Sequence, residues 1–361
     1  MHPRNRHADY VDYRDLATRQ PSLKPFVFEN AHGGASIDYA DPDALRELTR
    51  CLLLDTYELL KEWSIPTGYL VPPVPQRADY IHRMADLLQV AAADGEAQIA
   101  KGSGICGLDV GTGASCIYCL LGVAEYGWSF IASDTDKAAL TCAQENVARN
   151  RMEKQISLRL QPEPTRIFQN VLQSGEEVAF CVCNPPFHES MWHAQQAAGA
   201  KWERLGKPSR TGPGQKNYQG TPSELCCEGG EVGFLRRMAE ESSKAEVRSA
   251  CLWFSAMLSR ESSVPLVRAH LKELGAQRRG MVLQQGRITK WVIAWSFLSK
   301  AQRDAALLRM LSKEQQQPDS EALQSSASGT HGATRLQRSS GAPGRKKRRR
   351  SCTADAEGTQ T

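Results

Sequence analysis

Short apolar runs alternate along the middle of this chain with longer stretches whose apolar residues recur every three to four positions. That pattern predicts strands alternating with helices in an α/β fold. The runs fall at 105–110, 128–133, 156–160, 178–183, 250–255, 277–284 and 291–298. Between the second and third, Leu140, Ala143 and Val147 mark the inward face of a helix over 137–150. Further helices are predicted from Glu228-Gly229-Gly230-Glu231 through Phe234, Leu235 and Met238, and over 264–274. Only Gln284-Gln285-Gly286-Arg287 joins the last two runs, too little for a crossover helix, so that pair is antiparallel.

Upstream the pattern is looser. Asp41 as an N-cap with Pro42 in the first turn opens a helix to about residue 62, with Leu45, Leu48, Leu52 and Leu59 on one face. Residues 65–75 hold four prolines and predict a rigid extended connector, followed by a helix from Arg77 to about 92 and a linker over 94–104. Ile37-Asp38-Tyr39 is a candidate edge strand, and residues 1–35 read as a solvated arm carrying Arg4, Arg6 and Arg14.

Candidate chemistry sits where three of the runs stop. Asp109-Val110-Gly111-Thr112-Gly113-Ala114-Ser115 reads as a strand end, a tight glycine turn and a helix start, letting backbone approach a ligand where a side chain would collide. The next run ends at Asp134, about 20 residues on, where a βαβ unit needs a carboxylate for the hydroxyls of a bound ribose. A dinucleotide site wants a third glycine three positions past Gly113, and this chain has Cys116 there. The shorter glycine form suits S-adenosylmethionine, which has no pyrophosphate. Glu163-Pro164-Thr165 then forms a loop near where the cofactor's adenine would lie.

The run 178–183 stops at Asn184-Pro185-Pro186-Phe187, where the prolines forbid further ladder pairing. An Asn amide and the Pro185 carbonyl can grip a flat –NH2 beside a ring nitrogen, and Phe187 can stack on its plane. Accepting hydrogen bonds from both amine protons pushes the nitrogen lone pair toward an electrophile held in line, without a strong general base. The plainer alternative is an ordinary strand-ending turn, since Asn-Pro is a common turn former. Arg77, at the start of its helix, stands either over a bound carboxylate or on the surface.

At 361 residues and 41% hydrophobic, the chain can bury one large core with appendages. No apolar run approaches a membrane span, and Met1-His2-Pro3-Arg4-Asn5-Arg6-His7 lacks a signal peptide's apolar middle, so a soluble intracellular protein is expected. The 11 cysteines lie mostly inside apolar runs and read as small buried hydrophobes. Cys116-Ile117-Tyr118-Cys119 has no second pair at zinc spacing, so helical packing is preferred over a metal or redox role. No metal site is expected. Residues 301–361 carry 11 Lys and Arg against 6 Asp and Glu, which is the whole net charge of +5. Any nucleic-acid affinity of the body must therefore come from local patches.

One such patch is the polar stretch 188–222, with Lys201, Arg204, Lys207 and Arg210, read as a mobile clamp on phosphates against a disordered-filler alternative. From Ala301 a helical segment fades into Ser/Gln/Gly-rich sequence that ends near Arg345-Lys346-Lys347-Arg348-Arg349-Arg350. Composition predicts disorder there, with the basic run serving as nuclear address or RNA contact.

Several stretches together carry a family resemblance: His2 to His7, Pro72-Pro73-Val74-Pro75 with Arg77 to His82, Asp109 to Tyr118, Glu125-Tyr126-Gly127-Trp128, Asn184 to His188, and Cys227 to Glu231. Over residues 1 to about 303 the chain resembles the bacterial ribosomal large-subunit RNA adenine-N6 methyltransferase F family. More loosely, it is similar to the eukaryotic U6 small nuclear RNA adenine methyltransferases. The resemblance implies a class I, Rossmann-like, seven-stranded methyltransferase domain over 95–303, an RNA-binding arm and helical extension over 1–94, and a disordered tail over 304–361. It implies S-adenosylmethionine as cofactor, held by Arg77, Asp109, Gly111, Thr112, Gly113, Ser115, Asp134, Thr165 and Asn184. Asn184, Pro185, Pro186 and Phe187 would hold the target adenine, and Arg4 and Arg6 would contact RNA. The expected protein is a monomer making N6-methyladenosine in ribosomal or U6 RNA. Its place is the cytoplasm if bacterial in type, the nucleus or nucleolus if the basic run is an address. Methylation of a glutamine amide, and an RNA-binding assembly factor without turnover, are the alternatives.

Overall fold

The structure, a computed structural model, describes residues 1–9, 11–91, 96–192, 219–286 and 288–315. The seven apolar runs form one sheet: β1 (Cys106–Val110), β2 (Ser129–Asp134), β3 (Ile156–Leu160), β4 (Val178–Cys183), β5 (Cys251–Leu258), β6 (Gln277–Gln285) and β7 (Ile288–Ser296). The strand order is β6-β7-β5-β4-β1-β2-β3, with β7 antiparallel to both neighbours and the rest parallel. Every residue of β4 and β5 is buried, as a parallel strand covered on both faces requires. The edge strand β6 is mostly exposed and carries Arg278 and Arg279, charges that discourage edge-to-edge pairing.

On one face of the sheet, α1 (Tyr13–Arg19), α2 (Pro42–Thr56), α3 (Val74–Leu87), α4 (Ile117–Tyr126) and α5 (Lys137–Arg149) share one core through residues such as Leu16, Leu52, Tyr80, Leu120 and Val147; α3, α4 and α5 lie against the strands, α2 packs on α3 and α1 on α2. The other face is covered by α6 (Gly230–Ser242) and α7 (Ser263–Glu273), whose Leu235, Met238, Val267 and Leu271 lie over Phe254 and Trp295. Helix α4 approaches the sheet closely because Gly122 has no side chain: a Cβ there would meet Cζ of the buried Phe130 at 2.3 Å.

Four expectations are corrected. The helix from Pro42 ends at Thr56, not 62, because Tyr57, Leu60 and Trp63 turn under into the core while Leu59 is 55% exposed. The linker over 94–104 contains Ala97–Ile99, which pairs antiparallel with Gln89–Ala91. The helical segment expected from Ala301 is present, but the tail does not begin at 304: α8 (Lys300–Gln315) buries Ala306, Leu307 and Met310. Finally, the arm is not solvated over its first residues, since His2, Asn5 and His7 are each under 5% exposed. Asn5 Nδ2 donates to the Pro75 carbonyl at 2.8 Å, and His7 Nε2 lies 3.1 Å from the Tyr57 hydroxyl. Polar residues are accepted in the interior here because each finds a partner.

Candidate active site

Parallel register builds the site. Val110 is level with Ser133 of β2 and with Cys183 of β4, so the next residue of each strand, Gly111, Asp134 and Asn184, meets the others at one carboxyl edge. The glycine turn is tied there: Gly111 and Thr112 amides donate to the Ser133 carbonyl at 2.9 and 3.0 Å, and the Gly113 amide donates to Asp134 Oδ2 at 2.8 Å. Gly111 has φ +73° and open space where its Cβ would be. A side chain there would be strained and would close the space above the turn.

A cavity of about 390 Å³ opens at this edge. Arg77, Gly111, Thr112, Gly113, Ser115, Asp134, Thr165, Asn184, Pro185 and Pro186 all line it. Asp109 lies beneath, fully buried, its Oδ2 accepting from the Thr112 hydroxyl at 2.8 Å while Oδ1 has no partner. Burial outweighs the Thr112 and Cys119 donors and pushes this carboxyl up to about 7. Asp134 is raised in the same direction, again by burial. Its Oδ1 accepts from the Asp136 amide at 2.9 Å, and each carboxylate oxygen keeps capacity for a ligand hydroxyl.

Arg77 is 5% exposed, so the surface reading fails. Its Nη1 donates to the Tyr118 hydroxyl at 2.8 Å and to Asn184 Oδ1 at 3.2 Å, with the guanidinium 5.5 Å from the Tyr118 ring centroid. That contact fixes which end of the Asn184 amide is oxygen and leaves one of its lone pairs for another donor. Phe187 is not among the residues lining the cavity; Lys290 Nζ lies 5.2 Å from its ring. Thr165 is held by a device the sequence reading missed. The buried carboxylate of Glu241 accepts from the Ile167, Phe168 and Gln169 amides at 2.9, 2.8 and 2.6 Å, fastening the loop to α6.

The far wall of the cavity was also missed. The feet of the 188–222 stretch meet in a parallel bridge between His188 and Cys226, and Thr221-Pro222-Ser223-Glu224 forms a short capped helical turn. Glu224 Oε2 accepts from the Thr221 and Leu70 amides at 2.9 and 3.1 Å, bringing Leu70, Glu224 and Cys227 to the lining. The Thr-x-x-Glu capping box was a readable signal for this turn, though not for its place in space. Lys201, Arg204, Lys207 and Arg210 lie outside the described residues.

Arg4 and Arg6 stand elsewhere. Arg4 donates to the Tyr126 hydroxyl at 3.1 Å, the His82 carbonyl at 3.0 Å and Asp86 at 2.9 Å; Arg6 pairs with Glu125 at 3.0 Å. Both therefore sit at the far end of α4, whose 10 residues start at the cavity and extend about 15 Å. Among the described residues no cluster suits a metal ion, and no helix is long and apolar enough to cross a membrane. Cys116 and Cys119 are free and buried at the start of α4, as helical packing predicts.

A family model described as RNA methyltransferase matches residues 1–299. The ribosomal RNA large subunit methyltransferase F of Pseudomonas savastanoi pv. phaseolicola is 44% identical over 306 residues, covering 84% of this chain and 91% of the relative. That of Pseudomonas aeruginosa is 44% identical over 309 residues, covering 84% and 90%. Among solved structures, the human METTL16 catalytic domain in complex with MAT2A 3′UTR hairpin 1 is similar at TM-score 0.68 and 32% identity, covering 83% of this chain and 96% of that one. The N-terminal domain of human METTL16 in complex with SAH gives 0.65 and 30%, covering 83% and 99%.

Proposed function

The chain belongs to the RNA methyltransferase family, and on that premise we propose that it transfers a methyl group from S-adenosylmethionine to the exocyclic amine of one adenosine in structured RNA, large-subunit ribosomal RNA above all. The observation that carries this reading is the shared edge: Asn184, Pro185 and Pro186 line the same cavity as the glycine turn and Asp134. The names of the bacterial relatives support ribosomal RNA and with it the cytoplasm, and the hairpin-bound human structure supports a folded RNA substrate.

The residues present fit the cofactor. Open space above Gly111, an unpartnered buried oxygen on Asp109 and acceptor capacity on Asp134 are the marks of a site built for a nucleoside with a charged tail. Asp134 would accept from the ribose hydroxyls, the glycine turn would cradle the amino-acid tail, and Thr165 would border the adenine. Arg77 reaches Tyr118, Asn184 and Met257 through Nη1 alone, which leaves the rest of its fork for a carboxylate. When bound, the cofactor supplies an electrophilic methyl on a positively charged sulfur.

On the acceptor side, Asn184 Oδ1 and the Pro185 carbonyl accept from the two amine protons and set the nitrogen lone pair toward the cavity. Phe187, outside the lining, would stack on a base entering from solvent. A paired adenine would have to be splayed out to reach it. No side chain here is asked to remove a proton before attack. The test is methylation by the full chain of large-subunit ribosomal RNA stripped of its modifications, beside a peptide bearing a glutamine amide. One N6-methyladenosine in the RNA and none in the peptide is the expected result. Label on the peptide alone, or on neither, defeats the proposal.

A further inference from the structure

A second cavity, of about 420 Å³, opens at the opposite edge of the sheet, between the second half of α3, the starts of β5 and β6, and the first turn of α8. Four cations converge on it: Arg83, Arg279, Lys300 and Arg303. Its two carboxylates are already engaged, Asp86 by His2 at 3.0 Å and Arg4 at 2.9 Å, and Asp304 by Lys300 at 2.6 Å. Arg83 Nε is shut off from solvent and has no hydrogen-bond partner. Arg279 forms no ion pair among the described residues.

Arg303 is held ready. Its guanidinium lies 4.3 Å from the centroid of the buried Trp253 ring and donates to Gln277 Oε1 at 3.0 Å and to the Leu298 carbonyl. Burial lowers its affinity for its own proton; Asp304 opposes that shift and the nearby Arg279 charge adds to it. Arg83, Arg279 and Arg303 bring three guanidinium forks to a basin open to water, an arrangement suited to the oxygens of a phosphate. The volume admits more than a lone ion.

We propose that this basin binds a backbone phosphate of the substrate RNA, at a point separated from the target base by the width of the sheet. This rests on the RNA reading above, but not on the identity of the methylated base. The separation is about 20 Å, the length of a six-residue strand. Because the chain from 1 to 300 carries no surplus of basic over acidic residues, local basins of this kind are where a polyanion can be held. They would let the enzyme prefer a folded RNA over a short strand of the same sequence.

The test compares the full chain with Arg83→Gln/Arg279→Gln and, since Arg83 is half-buried, with Arg279→Glu alone on the exposed edge strand. A labelled RNA hairpin is titrated at several salt concentrations, with inorganic pyrophosphate as a second probe, and cofactor affinity and melting temperature are measured alongside. The expected result is weaker hairpin binding, with the log–log salt slope shallower by about 1 for each phosphate no longer held. Cofactor affinity stays unchanged. An unchanged slope in both variants overturns the proposal, as does loss of pyrophosphate binding with hairpin binding intact, which would mark a small-anion site. A shallower slope in a chain that methylates no RNA would leave this basin standing and remove the proposed activity instead.

Discussion

Replacing Asp109 with an asparagine should stabilise the protein while weakening its hold on the cofactor. In the folded chain this carboxyl is pushed from an ordinary 3.8 to about 7 by burial, with one oxygen unpartnered. A folded value above the unfolded one means that its contribution to stability is complete below the unfolded value and is lost as pH rises through about 7. The full loss is about 4 kcal/mol; relaxation of the site and water entry reduce what is measured to about 2 kcal/mol. The substituted amide would keep an acceptor for the Thr112 hydroxyl and never ionise. Without cofactor, the variant should melt about 5 °C above the parent at pH 8, and the difference should shrink toward zero near pH 4. Cofactor affinity at pH 8 should fall by at least about tenfold, since a charged group is lost beside a cationic ligand. Calorimetric melting across that pH range, with titration of the cofactor, decides the matter. A variant that melts lower at pH 8, or by an offset independent of pH, would refute the reasoning.

Other consequences follow from single contacts. Gly122→Ala drives a methyl into the buried Phe130 ring and should destabilise the chain by about 3 kcal/mol, read from denaturant unfolding. Glu241→Ala removes the acceptor of three amides in the loop bearing Thr165, so cofactor KM should rise several-fold with little change in the hairpin salt slope, checked by steady-state kinetics. His7 is lowered from 6.5 to about 4, by burial first and Arg6 second. Its contribution is therefore full above 6.5 and lost as pH falls through 4, about 3 kcal/mol in all; a His7→Gln chain should show a flatter stability curve over that window.

The cofactor half of the site was legible because it depends on local order. Strand, glycine turn, helix, strand and acid are consecutive, and β3 and β4 have the bounds their apolar runs predict. What sequence could not carry was proximity between distant segments. Glu224 reaches the cavity only because its turn docks on Leu70, and Glu241 matters only because α6 passes behind a loop more than 70 residues earlier. The buried arm was hidden for a different reason. His2, Asn5 and His7 look like surface residues until α3 and Tyr57 supply their partners. The overlong helix before Tyr57 shows the converse, where periodic leucines continued past the point at which larger aromatic residues could be buried better by turning.

The central claim is that the amide at the end of β4 holds the acceptor nitrogen and not the cofactor's reactive group. Cofactor binding and methyl transfer to the ribosomal RNA substrate should be measured side by side for the parent and for Asn184→Ala. Transfer should fall by more than about 100-fold while cofactor affinity stays within a few-fold of the parent. Transfer retained within about tenfold, or a loss that tracks a matching loss of cofactor affinity, would contradict the account.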